Sequence, residues 1–379
     1  MAESSNWTHL HAQLHRTLLH RQILPSNQRL LVAVSGGQDS LCLLKLLLDL
    51  QPKWGWNLAI AHCDHRWRSD SQSNATHVEN LAKNWGISYY LQTAFSIPKT
   101  EAEARQWRYQ ALTEIAIARN SPYIVTGHTA SDRAETLLYN LIRGSGADGL
   151  SALTWKRPIA DFRLPILDFR LDNSQENRNF EISADFKLSN QNENSQSKIQ
   201  NLKSKIYLVR PLLEITRSQT GQFCQDQKLP IWEDSTNQDL KYARNRIRSE
   251  LLPYLETHFN PKAQQAIAQT AELLRADVEY LELAASDVLQ RAISPIADNE
   301  AVKFQLPVKL NRPILRAAPL ALQRRAMRQL LQQILPSAPS FDSVEKLTNL
   351  IAAPNRSQTD PFPGGAIARV ENPWIILDI

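Results

Sequence analysis

The sequence predicts an α/β protein with a doubly wound parallel sheet, followed by a helical region and a small C-terminal α+β domain. Short apolar runs typical of buried strands alternate with longer runs of helical spacing through the first half of the 379-residue chain. Beyond residue 239 the apolar spacing is mainly helical, and the last residues form two apolar runs around a turn. Hydrophobic residues make up 42% and charged residues 21% of the chain, which is typical of a globular protein.

Strands and helices alternate before residue 130. The predicted strands are Leu30–Val34, Leu58–His62, Ser88–Leu91 and Tyr123–Thr126, and the predicted helices are Leu41–Leu50, Ser73–Trp85 and Glu101–Arg119. Ligands of such sheets bind at the carboxyl ends of the strands. Three polar motifs follow strands there, namely Ser35–Ser40, His62–His65 and Gly127–Asp132, and we expect them to converge.

The rest of the chain divides by composition. A polar insertion at about 170–206 is rich in Asn, Gln and Ser and predicts a surface segment, with a functional lid as the alternative. A strand is expected at Tyr207–Leu213. Helices are expected at Pro261–Ala292, Ala317–Ile334 and Phe341–Ile351, with Pro253 breaking an earlier one, and a hairpin at Gly365–Val370 and Trp374–Ile379.

Charge and cysteine usage limit the class of protein. The net charge of +5 and a pI near 9.0 weakly indicate a polyanionic partner. Three cysteines without a Cys-x-x-Cys spacing argue against a disulfide framework, a zinc ribbon or a dithiol site. The N-terminal residues contain no apolar signal core, and Leu41–Leu50 is too short to cross a bilayer. We therefore expect a cytoplasmic protein with no membrane partner.

The most informative motif is Ser35-Gly36-Gly37-Gln38-Asp39-Ser40, between the first strand and the first helix. Glycines let backbone N–H groups approach an anion, and the helix N-terminus adds partial positive charge. The motif lacks the Gly-Lys-Ser/Thr ending of a Walker A loop. It predicts a site for a phosphate chain, with an ordinary strand–turn–helix as the alternative.

A second motif follows the fourth strand, where Gly127-His128 leads into a helix running from about Asp132 to Arg143. Carboxylates in the first turn, at Asp132 and Glu135, suit Mg²⁺ bound against ATP phosphates. Exposed helices also show polar faces, so the pattern alone leaves both interpretations open. The polar face contains Asp132, Glu135, Thr136, Tyr139 and Arg143.

Other candidates are ambiguous by themselves. The string His62–His65 suits a strand tip facing nucleotide or substrate better than structural zinc, with a core histidine as the alternative for His62. Arg105 and Arg108 share a helix face that either binds a phosphate or carboxylate or faces solvent. The basic stretch Lys241–Arg248 suits a nucleic-acid backbone, with a solvated helix face or ion pairs to Glu233 and Asp234 as the alternatives. The same ambiguity applies to Arg324, Arg325 and Arg328.

Taken together, these strings resemble the tRNA(Ile)-lysidine synthase family. The loop is shared by all ATP pyrophosphatases, whereas Glu-Ala-x-Ala-Arg-x-x-Arg-Tyr, Ala-Glu-Thr…Arg-Gly-Ser-Gly and Arg-Asn-x-Ile-Arg are more specific. One departure is Ser131-Asp132, where many members carry two acidic residues, so of this pair only Asp132 can have a metal role. The matching strings are Ser35–Ser40, His62–His65, Glu101–Tyr109, Gly127–Gly146, Arg210–Arg217, Trp232–Asn237 and Arg244–Pro253.

The resemblance implies an adenine nucleotide alpha hydrolase-like fold and an ATP-dependent carbon–nitrogen ligase. Such an enzyme joins free L-lysine to C2 of the wobble cytidine of tRNA(Ile) with anticodon CAU, through an adenylated cytidine, and releases AMP and pyrophosphate. The expected domains are a PP-loop ATP-binding catalytic domain at 1–225, a helical linker and tRNA-contact region at 226–300, and a small C-terminal domain at 301–379. The sequence also allows a homodimer.

The resemblance also implies roles for individual residues. Asp39 and Asp132 would position Mg²⁺, and Arg105 and Arg143 would hold phosphate or the lysine carboxylate. His128 and Glu135 would orient substrate or bind the ammonium group. The ATP-binding residues would be Ser35, Gly36, Gly37, Gln38, Asp39, Ser40 and His62.

Three other classes of protein compete with this hypothesis. A tRNA-thiolating enzyme would need reactive cysteines or an iron–sulfur site. A nucleotide sensor would not explain the basic Lys241–Arg248 stretch or the large helical half. A small-molecule amidotransferase or ligase would need a glutaminase context that the sequence does not show.

Overall fold

The computed structural model describes residues 7–159, 205–233, 240–293 and 306–378. The chain divides into two compact units, Met1–Ala271 and Glu272–Ile379. Nearly all of the expected polar insertion at about 170–206 lies outside the described residues. The division expected at residues 225 and 300 stays a prediction.

The first unit is built on a six-stranded sheet with the order β3-β2-β1-β4-β6-β5. All neighbouring strands are parallel except β5, which pairs antiparallel with β6. The mostly parallel sheet expected from the sequence is therefore confirmed. The strands are β1 Arg29–Ala33, β2 Asn57–Asp64, β3 Ser88–Thr93, β4 Tyr123–Thr126, β5 Lys156–Pro158 and β6 Tyr207–Val209.

Helices connect and cover these strands. A π-helical turn, Ile247–Leu251, lies between the helices Ala243–Arg246 and Leu252–His258, and Pro253 falls in the first turn of the second of them. The backbone remains right-handed helical through this stretch, so the helix is not broken at the proline. The π turn precedes Pro253, which lacks the N–H that a regular α-helical turn would use. The helices are α1 His9–Arg21, α2 Gln38–Trp54, α3 Ser71–Asn84, α4 Glu101–Ala118, α5 Ala130–Ile142, α6 Ala147–Leu150, α7 Arg217–Asp226, α8 Ala243–Arg246, α9 Leu252–His258 and α10 Ala263–Ala292.

Both faces of the sheet are covered, as a doubly wound fold requires. Successive residues of a strand point to opposite faces, and β1 shows this directly. Leu30 and Val32 belong to one apolar cluster, which includes Leu43 of α2. Leu31 belongs to the other, which includes Leu112 of α4. The apolar run of β1 is continuous because both of its faces are buried.

The strand order creates a crevice beside β1. The chain passes from β1 outward to β2 and β3, then returns to place β4 on the other side of β1. Val32 of β1 is in register with Ile60 of β2 and with Val125 of β4. Ligands of open α/β sheets bind where the strand order reverses in this way, outside the carboxyl ends of the strands. The loops after β1 and β4 both open onto that position.

The second unit contains a three-stranded antiparallel sheet with the order β7-β9-β8 and a small apolar core. The predicted C-terminal hairpin is present as β8 and β9, with Ala368 opposite Leu377. The elements are β7 Val308–Asn311, α11 Arg312–Ala317, α12 Leu320–Ile334, α13 Phe341–Asn349, β8 Ile367–Glu371 and β9 Trp374–Asp378, after the end of α10. None of the helices in the described ranges is long and apolar enough to span a membrane.

The basic group on α12 forms ion pairs within this second unit. Arg324 donates two hydrogen bonds to Glu345, at 2.7 and 2.8 Å. Arg325 and Arg328 both contact the Glu282 carboxylate. Of the two interpretations that the sequence left open for this group, intramolecular pairing accounts for these contacts.

Candidate active site

The loop after β1 has the geometry of an anion-binding turn. Gly36 has φ +88°, and a Cβ atom there would lie 2.4 Å from Asn74 Oδ1, so only glycine fits. Asn74 Nδ2 in turn donates a 2.9 Å hydrogen bond to the carbonyl of Ser35. Gly37 is the N-cap of α2 and provides no side-chain cap. The first N–H groups of α2 therefore remain available to an anion such as a phosphate.

The end of β4 packs directly against this helix start. A Cβ atom on Gly127 would lie 2.8 Å from the carbonyl oxygen of Asp39 and 3.1 Å from the backbone nitrogen of Ser40. Backbone atoms cannot rotate away as a flexible side chain can. Gly127 is thus the contact that sets the distance between the two loops.

Replacing Gly127 by Ala is expected to weaken ATP binding by about tenfold, because overpacking of this kind typically costs about 1–3 kcal/mol and here displaces the phosphate loop. Titration calorimetry with ATP measures the change. Gly146→Ala is the matched control, because a Cβ atom there meets nothing within 4 Å. Equal ATP affinity in the Gly127 variant and the native protein would contradict this role.

Helix α7 holds Asp39 from the side. Arg217 Nε and Nη2 lie 2.9 and 2.8 Å from Asp39 Oδ2. Thr220 Oγ1 donates a hydrogen bond to the other carboxylate oxygen. The neighbouring Gln38 donates to the Arg217 carbonyl at 2.6 Å and to Thr220 Oγ1 at 2.8 Å. The Gln38 side chain therefore positions α7, and the Asp39 carboxylate lies in a preformed cationic and polar setting.

One carboxylate oxygen of Asp132 caps α5, and the other lies near two arginine side chains. Oδ2 accepts hydrogen bonds from the backbone N and Oγ1 of Thr129, at 2.8 and 2.9 Å, which caps α5. Oδ1 lies 3.9 Å from Arg217 Nη2 and 3.8 Å from Arg248 Nη2. Burial raises the pKa of Asp132, but the positive charge of Arg217 and the Thr129 hydrogen bonds outweigh it, so the pKa lies below its usual value.

Asp39 and Asp132 are therefore neighbours, since both lie within 4 Å of the same Arg217 guanidinium. Two carboxylates beside a phosphate-binding turn form a donor set that suits Mg²⁺, which binds one or two carboxylates together with phosphate oxygens.

Glu135, one turn along α5, is instead paired with Arg248. The Arg248 Nε and Nη2 atoms donate to its two oxygens at 2.6 and 2.8 Å. Burial raises the pKa of Glu135 although Arg248 acts in the opposite direction.

His128 lies at the carboxyl end of β4, with Nδ1 2.9 Å from Thr126 Oγ1. Burial and the positive charge of Arg210 lower the pKa of His128, so the imidazole is neutral. Arg105 also lowers the pKa of His128, and its guanidinium lies 4.9 Å from the ring centre of Tyr109. Asp132 acts in the opposite direction, so charged groups of both signs surround His128 at this end of the sheet.

Two predicted site residues lie apart from this group. His62 is buried, and its Nδ1 lies 2.7 Å from the Val34 carbonyl, so it supports the loop from behind. Burial lowers its pKa. Arg143 is the exposed C-cap of α5 and contacts Tyr139, about 16 Å along the helix from Asp132. No group of three or more His, Cys, Asp or Glu side chains suited to a metal occurs in the described ranges, which leaves the structural-zinc alternative without support.

Arg217 and Thr220 were not singled out from the sequence. Arg248 was named only as part of the basic stretch Lys241–Arg248, expected to contact a nucleic-acid backbone, whereas the structure pairs it with Glu135. Arg217 and Arg248 fall inside strings that carried the family resemblance, but nothing local indicates which acid each arginine meets. Trp232 also closes on the loop, since its backbone N donates to the Gly36 carbonyl at 3.0 Å and its Nε1 to Asp70 at 3.1 Å. Residues 234–239 lie outside the described part of the chain, and Asp234 with them.

The fold, the uncapped glycine turn at the switch point and the paired carboxylates define an ATP-binding PP-loop protein. Residues 8–255 match the family described as the PP-loop domain, and residues 310–372 match the TilS substrate binding domain. The chain belongs to the tRNA(Ile)-lysidine synthase family. It is 60% identical to the tRNA(Ile)-lysidine synthase of Nostoc sp. (strain PCC 7120) over 98% of this chain and 97% of that protein.

Further relatives agree with this assignment. The tRNA(Ile)-lysidine synthase of Synechocystis sp. (strain PCC 6803) is 47% identical over 97% of each chain. The chloroplastic tRNA(Ile)-lysidine synthase of Zygnema circumcarinatum is 42% identical over 88% of this chain and 78% of that protein. Among solved structures, the U34-tRNA thiolase NcsA of Methanococcus maripaludis is similar in fold, with a TM-score of 0.50 and 16% identity over 70% of this chain and 77% of that one.

Proposed function

We propose that the protein ligates free L-lysine to C2 of the wobble cytidine of tRNA(Ile) with anticodon CAU, using ATP. The observation that carries the proposal is the 60% identity to a tRNA(Ile)-lysidine synthase over nearly the whole chain. The preformed loop with two neighbouring carboxylates supports it chemically. The product pairs with A in place of G, so the tRNA changes from methionine to isoleucine specificity.

The reaction needs two transfers, because a cytosine carbonyl oxygen is a very poor leaving group. Transfer of AMP from ATP to that oxygen breaks the bond between the α and β phosphates, releases pyrophosphate and activates C2. The deprotonated lysine ε-amine then attacks C2, and AMP leaves with the oxygen. The Ser35–Ser40 loop would bind the pyrophosphate end of ATP through the N–H groups at the start of α2. The chain then contributes mainly positioning and electrostatic stabilisation.

Asp39 and Asp132 would hold Mg²⁺, with one Asp132 oxygen already committed to the helix cap. The bound ion would supply positive charge against the phosphates. Arg105 and Arg210 supply further positive potential beside the neutral His128. That potential suits a phosphate or the carboxylate of lysine. The ammonium-binding role expected for Glu135 would require Arg248 to leave the Glu135 carboxylate.

The tRNA is expected to approach over the exposed basic residues near the ends of α5 and α8. Arg143 and Arg246 are exposed there, and the Arg143 and Arg244 guanidinium groups lie 5.4 and 5.9 Å from the Tyr139 ring centre. Arg244 is partly engaged with Glu101 at 3.5 Å. Arginine and tyrosine side chains of this kind suit phosphate contacts and base stacking.

Replacing Arg246 by Glu is expected to weaken tRNA binding several-fold at low salt and to reduce the slope of log affinity against log salt by about one. Filter binding across a salt series measures both quantities. Arg29→Glu is the control, because Arg29 is also exposed but lies at the amino end of β1. An unchanged salt slope in the Arg246 variant would argue against this surface.

The thiolase alternative finds no support in the cysteines. Cys42 and Cys224 are completely buried in the core. Burial raises the pKa of Cys63 to about 12, so this thiol remains protonated at neutral pH. Sulfur transfer needs a reactive thiolate, and none of the three side chains lies in a setting that favours one.

The direct test incubates the protein with ATP, labelled lysine and a panel of tRNA transcripts. Label on the CAU isoleucine transcript alone supports the proposal. Label on none of the transcripts, or on all of them equally, contradicts it. ATP–pyrophosphate exchange that depends on tRNA separates the ligase from a nucleotide sensor, which would show no exchange.

A further inference from the structure

The Arg217 guanidinium lies against both carboxylates that are proposed to hold the metal ion. Its Nη2 atom lies 2.8 Å from Asp39 Oδ2 and 3.9 Å from Asp132 Oδ1. The two carboxylates are 12% and 20% exposed, so they are largely shielded from bulk water. Two such charges this close together repel each other strongly unless a cation lies between them.

The backbone of Arg217 is fixed on both sides. Its N–H donates a 3.0 Å hydrogen bond to Ser131 Oγ, and its carbonyl accepts the 2.6 Å bond from Gln38 Nε2. Ser131 Oγ itself donates to Gln264 Oε1 at 2.8 Å. These bonds attach the start of α7 to the first turns of α2, α5 and α10.

The Arg217 side chain, unlike its backbone, is held by the carboxylates of the site. It is 34% exposed, and within the described part of the chain its guanidinium has ionic partners only in the carboxylates of this site. No backbone carbonyl accepts a hydrogen bond from it among the described contacts. The guanidinium can therefore leave while α7 stays in place.

We propose that Arg217 is the resident counter-cation of the metal position, exchanged for Mg²⁺ when ATP binds. This inference rests on the assignment of Asp39 and Asp132 under the proposed function. Before ATP binds, the guanidinium neutralises both carboxylates and keeps Mg²⁺ alone from binding well. With Mg²⁺ and the triphosphate bound, Asp39 and Asp132 would hold the ion and the displaced Arg217 guanidinium would turn to the phosphates. Its planar fork of donors suits phosphate oxygens.

The test measures metal binding without nucleotide, with Mn²⁺ as the paramagnetic probe. Arg217→Gln is expected to bind Mn²⁺ at least about tenfold more tightly than the native protein, because removing the guanidinium exposes an uncompensated negative pair. Mg²⁺ is also expected to raise its Tm by more than it raises that of the native protein. Arg324→Gln is the matched control, since it removes a bidentate arginine–carboxylate pair in the second unit and is expected to leave Mn²⁺ affinity unchanged.

Equal or weaker Mn²⁺ binding by Arg217→Gln would overturn the exchange. If that variant folds only with metal present, chelation is expected to lower its Tm sharply, whereas a Tm that is low with and without metal would count against the proposal. Asp39→Asn separates the two hypotheses. Full nucleotide-dependent Mn²⁺ binding in Asp39→Asn would remove the metal assignment itself. Loss of that binding, together with unchanged metal-alone affinity in Arg217→Gln, would overturn only the role of Arg217.

Discussion

Replacing Asp39 by Asn is expected to lower AMP transfer by about a thousandfold while leaving tRNA affinity nearly unchanged. The substitution keeps the size of the side chain but removes the charge that Arg217 now neutralises and that would hold Mg²⁺. Loss of one preorganised group that stabilises transition-state charge typically lowers the rate by about 10²–10³-fold, and loss of a metal ligand lies at the upper end. Pyrophosphate exchange in the presence of tRNA measures the effect.

Asp49→Asn is the control on the same helix. Asp49 pairs with Lys45 at 2.6 Å in the body of α2, away from the loop. We expect this variant to retain exchange activity at temperatures where it is folded. Normal turnover by Asp39→Asn, or an equal loss in both variants, would contradict the assignment of Asp39 to the site.

The second large effect concerns the pair between Glu135 and Arg248. Replacing Arg248 by Met is expected to lower the free energy of unfolding by about 3–5 kcal/mol, because it leaves a buried carboxylate without its cation. The Glu135 side chain is only 3% exposed. Urea unfolding monitored by circular dichroism measures the loss. Arg324→Met, which breaks an equally short but more exposed pair with Glu345, is expected to cost about 1 kcal/mol or less.

The loss in Arg248→Met should depend on pH in a defined direction. Burial already raises the pKa of Glu135 in the native protein, and removing Arg248 raises it further. A folded-state pKa above the unfolded value means that stability falls as pH rises through that interval. The deficit should therefore be smaller at about pH 5 than at about pH 8. Stability restored in Glu135→Leu/Arg248→Met would confirm that the unpaired charge is the cause, and no recovery would contradict it.

The elements of the fold could be predicted where a local pattern of apolar residues identifies them. Continuous apolar runs such as Leu30–Val34 identified the parallel strands, because strands buried on both faces need no polar positions. The strands β5 and β7 were missed, since Lys156–Pro158 and Val308–Asn311 are short, partly polar segments. Pairing with β6 or β9 stabilises them, and that pairing cannot be read from four or fewer residues.

The sequence predicted the loops that form the site but not the arginines that pair with its acidic side chains. Glycines after a strand indicated the phosphate turn, and the acidic first turn of α5 indicated Asp132. Arg217 meets Asp39 across 178 positions of sequence, and Arg248 meets Glu135 across 113, so only the folded chain reveals these pairs. Arg143 shared a helix face with Asp132, yet three turns separate them, which a face pattern does not convey.

The long-range ion pairs have a consequence for the emergence of activity during translation. The nucleotide loop, which contains Asp39, leaves the ribosome early. Arg217, which neutralises the Asp39 carboxylate and also lies near Asp132 of α5, follows 178 positions after Asp39. A nascent chain stopped before Arg217 would carry the turn and both acidic side chains with no arginine between them. Because proteins fold from the N-terminus as they are synthesised, such a truncated chain should lack a finished catalytic centre even if its first four strands have already assembled.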